Sequence, residues 1–493
     1  SLPLPPGPKP LPLLGNLLDI NPAKPWFTYT DWATKYGDIV YSSLLGQDYI
    51  VINSVKVAKA LLEQRSSIYS DRLSSPLYEL FGIDFSTAAL GYNNVWKLHR
   101  KLFHLTLRAE TSTKYQELYT RTAQKLVLSL IDEYKGTADE MKRHLINFSG
   151  AIIMAVTYGY EVTTDHDPIL GRVRQLMTIL ELELPAERAV LMTVFPLLSR
   201  LPPWVPGLGF KRKAAESRQL LHDVKNMPFT YVKKQMAAGT ASNSMVSDFF
   251  LSQEDVIDPH LEDTMKDTAA TMFLGGTDTT SSALYMFILA MILYPDVQQR
   301  AQAEIDTLLG SNTIPEFEHR ESLPFVEAVV RETLRWHPAR EINHISWLPH
   351  VSTADDTYNG YYIPKGAVMV YNVWNMSHNT SNFDDPARFN PDRHFRSDGK
   401  LSPDDAVPNS PSFGFGRRLC PGRFFADTSI WAAIVTMLAT LHFSKAIDVD
   451  GHEVEVKPEF TTGLMIHPVP FRCSITSRCS AREKEIRTAL KPL

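Results

Sequence analysis

Cys420, Cys473 and Cys479 are the three cysteines of this 493-residue chain, and Cys420 stands in a segment whose residue types could hold a metal. The segment reads FGFGRRLCPG, with Phe413, Gly416, Arg418, Cys420 and Gly422 in the spacing F-x-x-G-x-R-x-C-x-G. Glycines at these offsets allow a tight backbone loop. The cysteine precedes an apolar, helix-like run, FFADTSIWAAIVTMLATL. The amides at a helix start favour an anion by about 0.3 to 2 kcal/mol, so a thiolate is stabilised there. A thiolate can ligate a metal, and Arg418 offers a cation to a carboxylate. A lone buried cysteine is ordinarily a small inert apolar group; the whole motif argues against that reading here.

A second group is GGTDTT, Gly275 to Thr280, inside an apolar helical stretch. Two adjacent glycines cost about 2 kcal/mol in a helix interior, so the spacing predicts a close approach to the backbone or a distorted helix. Asp278 and Thr279 could move a proton; the alternative is threonines bonded to their own helix carbonyls and Asp278 in an ion pair. Glu332 and Arg335 share a helical face at i,i+3, a spacing with no meaning alone. Phe389, Pro391 and Arg393 follow in FNPDR.

The cysteine loop resembles the haem-binding loop of the cytochrome P-450 family, in its microsomal fungal style, and the resemblance extends over nearly the whole chain. It implies haem b with Cys420 as axial thiolate, which pushes electron density toward iron and favours O–O cleavage. It makes Asp278 and Thr279 the acid-threonine pair that relays protons beside bound O₂. It makes Glu332, Arg335 and Arg393 a structural network. Trp96 and Arg100 match the family's W-x-x-x-R pattern, and His350, thirteen residues before the IPKG strand start, falls where a basic propionate partner is expected. Arg418 completes that cationic set, with Phe413 and Gly422 also against the cofactor.

By resemblance, Leu77, Phe81, Phe85, Leu274, Leu464 and Met465 contact substrate, and their apolar character suits a hydrophobic small molecule. The stretch ETLRWHPAREINHISWLPH is longer and more polar than the resemblance leads one to expect. Arg340, Glu341, Asn343 and His344 could therefore reach the substrate cavity or form a solvated surface bulge.

The elements that must position these groups are mainly helical. Apolar residues recur at three- and four-residue spacing in VWKLHRKLFHLTL, YTRTAQKLVLSLIDEY and VEAVVRETLRW. Short strand-like stretches sit at the ends: DIVYSSLL, DYIVIN, YYIPKGAVMVYNVW and FTTGLMIHPVPF. The fold class expected is mainly α (α+β): one large helical haem domain, 21–493, with small β-sheets at its edges. No βαβ alternation and no G-x-G-x-x-G after a strand indicate a dinucleotide domain, so electrons must come from elsewhere. The resemblance implies NADPH through a separate cytochrome P-450 reductase, with cytochrome b5 as a further donor. A basic face of Lys97, Arg100, Lys101, Arg417 and Arg423 could steer an acidic partner.

Lysine plus arginine number 50 against 55 acidic residues, a net charge of -5 that argues for no nucleic-acid partner. So few cysteines fit a reducing compartment, in which the sequons at Asn147 and Asn379 go unused. No run of 18 to 20 uninterrupted apolar residues occurs, so Ala283 to Tyr294 is expected to be a buried core helix. Residues 1–20, dense in proline, are read as a stiff linker following a removed N-terminal membrane anchor, the alternative being a frayed terminus. The Trp204-containing FPLLSRLPPWVPGLGFKRK suits a membrane interface or, alternatively, a buried interhelical loop. The resemblance to microsomal members implies the cytoplasmic face of the endoplasmic reticulum membrane. The activity expected is insertion of one oxygen atom into a hydrophobic substrate, with an O₂-independent isomerase or dehydratase and a haem sensor or electron carrier as rivals.

Overall fold

The computed structural model describes residues 2–163, 166–253, 258–339, 349–462 and 465–491. Arg340, Glu341, Asn343, His344 and Leu464 lie outside the described residues. The helices that build the site are α1 (Pro76–Phe81), α2 (Asn94–Leu107), α3 (Gln116–Asp132), α4 (Ala138–Tyr158), α5 (Pro168–Glu183), α6 (Phe210–Ala237), α7 (Pro259–Leu293), α8 (Pro324–Trp336) and α9 (Arg423–Thr440). Two of the periodic stretches read from the sequence lie within α2 and α8, and the third, Tyr119 to Tyr134, runs two residues past the end of α3.

The axis of the molecule is α7, 35 residues long. Asp258 caps it by accepting from His260 N at 3.0 Å, Pro259 fits its first turn, and Pro295 begins the following helix. Its second half, Ala283 to Ile292, is buried on every side, each large side chain contributing about 1.5 to 3 kcal/mol. By length and hydropathy α7 could cross a membrane, but 83% of its apolar window is covered by protein, as expected of a core helix. It lies against α4, and α9 packs between α7 and α3.

Five strands form the main sheet in the order β1 (Ile39–Leu44), β2 (Gln47–Ile52), β7 (Val368–Tyr371), β4 (His350–Val351) and β3 (Asp71–Arg72). β1 pairs antiparallel with β2 (Ile39 opposite Ile52), and β2 pairs parallel with β7 (Tyr49 opposite Val368). The β3–β4 register sets Arg72 opposite His350. Two hairpin-sized sheets complete the edges, β5 (Asp356–Tyr358) with β6 (Tyr361–Ile363) and β8 (Leu441–Lys445) with β9 (Cys473–Ser477).

Two expectations need correcting. The late strand at Phe460 to Phe471 is, among its described residues, a single bridge between Phe460 and Pro468. Pro468 and Pro470 have no N–H to give a ladder. The proline-rich start, read as a stiff linker or a frayed terminus, is held against the sheet: Tyr41 N donates to Pro6 O at 3.0 Å and Tyr362 N to Pro3 O at 2.8 Å. Asn16, fully buried, accepts from Ser43 N at 3.0 Å. Residues 3–16 thus lie along the sheet, with Leu13 and Leu18 exposed on the outer side.

Candidate active site

Gly414 and Gly416 take positive φ, 81° and 61°, and shape the cysteine loop. A Cβ on Gly416 would stand 1.8 Å from Leu62 O, so only glycine fits. The Phe413 carbonyl accepts from Cys420 N at 2.8 Å and Gly422 caps α9, which carries the cysteine to the start of an apolar helix as expected. Arg100 Nη1 donates to Leu419 O at 2.9 Å, locking the loop to α2.

Cys420 opens onto a cavity of about 330 Å³. Its floor is Phe413, Cys420 and Gly422, and its opposite wall is α7 at Gly275, Gly276 and Thr279. The helix is continuous there, contrary to the distortion allowed by the sequence, and the two glycines have separate reasons. Gly275 faces open space, whereas a Cβ on Gly276 would meet Ile153 Cδ1 at 2.6 Å, so Gly276 lets α4 pack closely. Thr279 Oγ1 donates to Gly275 O at 2.8 Å.

One rim of the cavity is cationic. Arg72, Arg100 and Arg418 all line it, and the Trp96 ring lies between two of them, 4.4 Å from the Arg418 guanidinium and 5.8 Å from that of Arg100. Arg418 donates to Ser70 O at 2.8 Å and Thr87 O at 3.3 Å, and its buried Nη2 has no partner among the described residues. Burial pushes this guanidinium down to about 8, aided by Arg72 and opposed by Asp71. Because arginine does not give up its proton in proteins, such a cluster requires an anion. His350 stands behind Tyr371, ring centroids 5.9 Å apart, with Nδ1 at 2.6 Å from Tyr69 O and a buried, unpartnered Nε2. A planar apolar group with two carboxylates and a thiolate-seeking metal fits these residues: carboxylates would satisfy the arginines, and Cys420 would supply the soft ligand.

Residues 5–475 match the Cytochrome P450 family. The chain is 36% identical to cytochrome P450 monooxygenase 98 of Postia placenta, over 98% of this chain and 92% of that protein. It is 35% identical to cytochrome P450 monooxygenase claR of Ampulloclitocybe clavipes (98% and 88%) and 37% identical to an Armillaria gallica P450 monooxygenase (98% and 93%).

This chain belongs to the cytochrome P450 family.

Membership makes it an oxidoreductase of the monooxygenase type, with haem on a cysteine thiolate, a small-molecule substrate and a redox partner. Of the P450 residues expected from sequence, Trp96, Arg100, Thr279, Phe413, Arg418, Cys420 and Gly422 share one cavity. Asp278 does not. One step along α7 from Thr279, it lines a different pocket, with Oδ2 at 3.6 Å from His467 Nε2. The expected substrate contacts also lie elsewhere: Leu77 and Phe81 are fully buried in the core, Phe81 stacked on Phe210, and Phe85 sits 4.2 Å beneath Lys225 Nζ. Met465 is buried and Leu274 half-buried, and the apolar cavity wall comes instead from Phe103, Ile152, Ile153, Met272, Ala283 and Val373.

Glu332 accepts from Arg335 at 2.7 and 2.8 Å, Arg393 at 3.1 Å and Asn390 N at 2.8 Å, the network expected from the motifs. His394, unread in the sequence although it adjoins Arg393, joins at 3.0 Å. Burial alone would raise the Glu332 carboxyl, but hydrogen bonds from His394 and Arg335 bring it down to about 2. Arg72, Glu181 and His467 were also missed, because no local motif contains them. Cys473 bonds Tyr134 in the β8–β9 region, and burial pushes its thiol up to about 11, a packing role.

Proposed function

We propose that the chain hydroxylates a hydrophobic small molecule, using electrons passed from NADPH by a separate flavin reductase. The observation that carries this reading is the single cavity in which Cys420 faces Thr279 across apolar walls, with three arginines at one rim. Haem on a cysteine thiolate supplies the activation of O₂. The chain's own residues do the rest. Cys420 is the ligand, held by its loop and the α9 start. Arg72, Arg100 and Arg418 take the propionates, Trp96 orders the two arginines beside it, and His350 supports that rim. The aliphatic wall excludes water and favours an apolar substrate. Thr279 holds a proton at its Oγ1 on the cavity face, and Asp278 supplies it from behind.

Lys97, Lys101 and Arg417 are exposed, and Tyr92 lies 5.2 Å from Lys97 Nζ and 5.1 Å from the Arg417 guanidinium. With half-buried Arg423 they make a basic face behind the cysteine loop, suited to an acidic reductase or cytochrome b5, while Arg100 turns inward. Trp204 is 75% and Leu197 68% exposed, an apolar edge near Lys211, whose Nζ donates to Ser199 O at 2.6 Å; it suits a membrane surface, with the endoplasmic reticulum's cytoplasmic face as its setting.

Titration of the ferric holoprotein with a diverse compound panel, read as haem spin-state change, tests the substrate class. Bulky neutral apolar compounds are expected to shift the spectrum. Shifts confined to acidic or polar compounds overturn the hydrophobic reading.

A further inference from the structure

A second pocket, about 370 Å³, lies behind α7 between α4 and α5. It carries more charge than the cavity: beside Ile146, Val173 and Met177, Lys142 and Arg143 reach it from α4, Arg174 and Glu181 from α5, and Asp278 from α7. The face of α7 that carries Asp278 is thus turned to this recess, and Thr279 to the cavity. His467, from a distant part of the chain, reaches two of the residues that line this recess, Glu181 and Asp278. Its backbone N donates to Thr461 Oγ1 at 3.0 Å, and the preceding carbonyl, of Ile466, accepts from Ser282 Oγ of α7 at 2.5 Å. The ring therefore has a fixed position against α7. Its Nε2 lies 3.1 Å from Glu181 Oε1 and 3.6 Å from Asp278 Oδ2.

We infer that His467 is a positioning residue for proton supply, bridging Glu181 at the solvent pocket to Asp278 and so setting the charge and orientation of Asp278. This rests on the reading of Asp278 given above. The transfer is simple to balance. The Nε2–H bond of protonated His467 breaks as an O–H bond forms on the Asp278 carboxylate, leaving neutral imidazole. The ring then takes a proton from pocket water by way of the Glu181 carboxylate, and solvent buffer restores neutrality. Imidazole is suited to this because one ring nitrogen can give up a proton and take one back while the other keeps its own.

The charges around the ring support the arrangement. Facing His467 are Glu181 and Asp278, with Lys142 Nζ 3.7 Å from Glu181 on the far side and Asp139, Arg143 and Arg174 around the pocket. Burial lowers the affinity of His467 for its proton, but the Asp278 and Glu181 carboxylates outweigh burial and raise it to about 9. The same three side chains could ligate a divalent cation, since their donor atoms lie within 4.8 Å of one another. The cations Lys142, Arg143 and Arg174 oppose that occupant.

The test combines side-chain ¹⁵N NMR of the ferrous-carbonyl holoprotein with coupling measured as product formed per electron pair consumed. His467 is expected to titrate near pH 9 in the wild type, and about a unit or more lower in Asp278→Asn. His467→Gln is expected to lower coupling about tenfold near pH 7 and to flatten its pH profile, with ligand-induced spin shifts unchanged. A coupling profile of His467→Gln superimposed on the wild type, with Asp278→Asn impaired, overturns the role of His467 alone. Unchanged coupling in Asp278→Asn overturns the underlying reading of Asp278. Stoichiometric Zn²⁺ binding at neutral pH, lost in both Glu181→Gln and His467→Gln, identifies a metal site and overturns the inference.

Discussion

Two buried carboxylates in this protein meet histidine and arginine neighbours with opposite results. Glu332 is surrounded by donors within hydrogen-bond distance from Arg335, Arg393, His394 and a backbone amide, all in the packed interior. Asp278 lies at ion-pair distance from His467 and lines a polar pocket. A saturated carboxylate is held in one charge state and serves the fold. A carboxylate next to a titratable ring and an open recess can change its charge, and so can serve chemistry.

The sharpest break in that contrast is a stability measurement. Glu332→Ala should cost about 3 to 5 kcal/mol by leaving Arg335 and Arg393 buried without their anion, seen as loss of soluble holoprotein or a lowered urea midpoint. Asp278→Asn should fold and bind haem, yet slow product formation by about 100-fold. If Asp278→Asn instead resembles Glu332→Ala in stability, the two carboxylates are not different in kind.

Thr279→Ala tests the cavity side of the same helix. It should keep electron consumption while diverting it to peroxide, with product falling about tenfold; unchanged coupling removes Thr279 from the proton route.

The pH dependence sharpens the comparison further. Glu332 has its carboxyl lowered to about 2, so its contribution is present above the ordinary glutamate range and is lost only as pH falls through about 2. His467 is raised to about 9, so its contribution is full below about pH 6.5 and is lost as pH rises through 9. Its size is on the order of 3 kcal/mol. Urea unfolding at pH 6 and pH 9.5 should therefore show a stability difference that shrinks in His467→Gln and persists in Glu332 variants that still fold. The smallest effect expected is from Gly276→Ala, which presses on Ile153 and should cost about 1 to 3 kcal/mol without altering the pH profile.

What the sequence made legible follows distance along the chain. The cysteine loop and GGTDTT each pack their chemistry into a few residues, so spacing exposes them, while W-x-x-x-R and E-x-x-R take meaning only from the family resemblance. His467 and Glu181 are 286 positions apart, and only the fold brings them together. Arg72 reaches the rim through its register with His350. Leu77, Phe81 and Phe85 show another limit: apolar character suits a cavity wall and a packed core equally, and the structure places Leu77 and Phe81 in the core. Helices were readable because periodicity marks a buried face. The region after Phe460 was not, because its alternating pattern conceals prolines that cannot pair.

The central claim is that Cys420 is the metal ligand of the site. The carbonyl spectrum of the reduced, haem-loaded protein tests it most directly, compared between wild type and Cys420→Ala. The account predicts a thiolate-type carbonyl band in the wild type that is absent from the variant. The same band persisting in Cys420→Ala would contradict it.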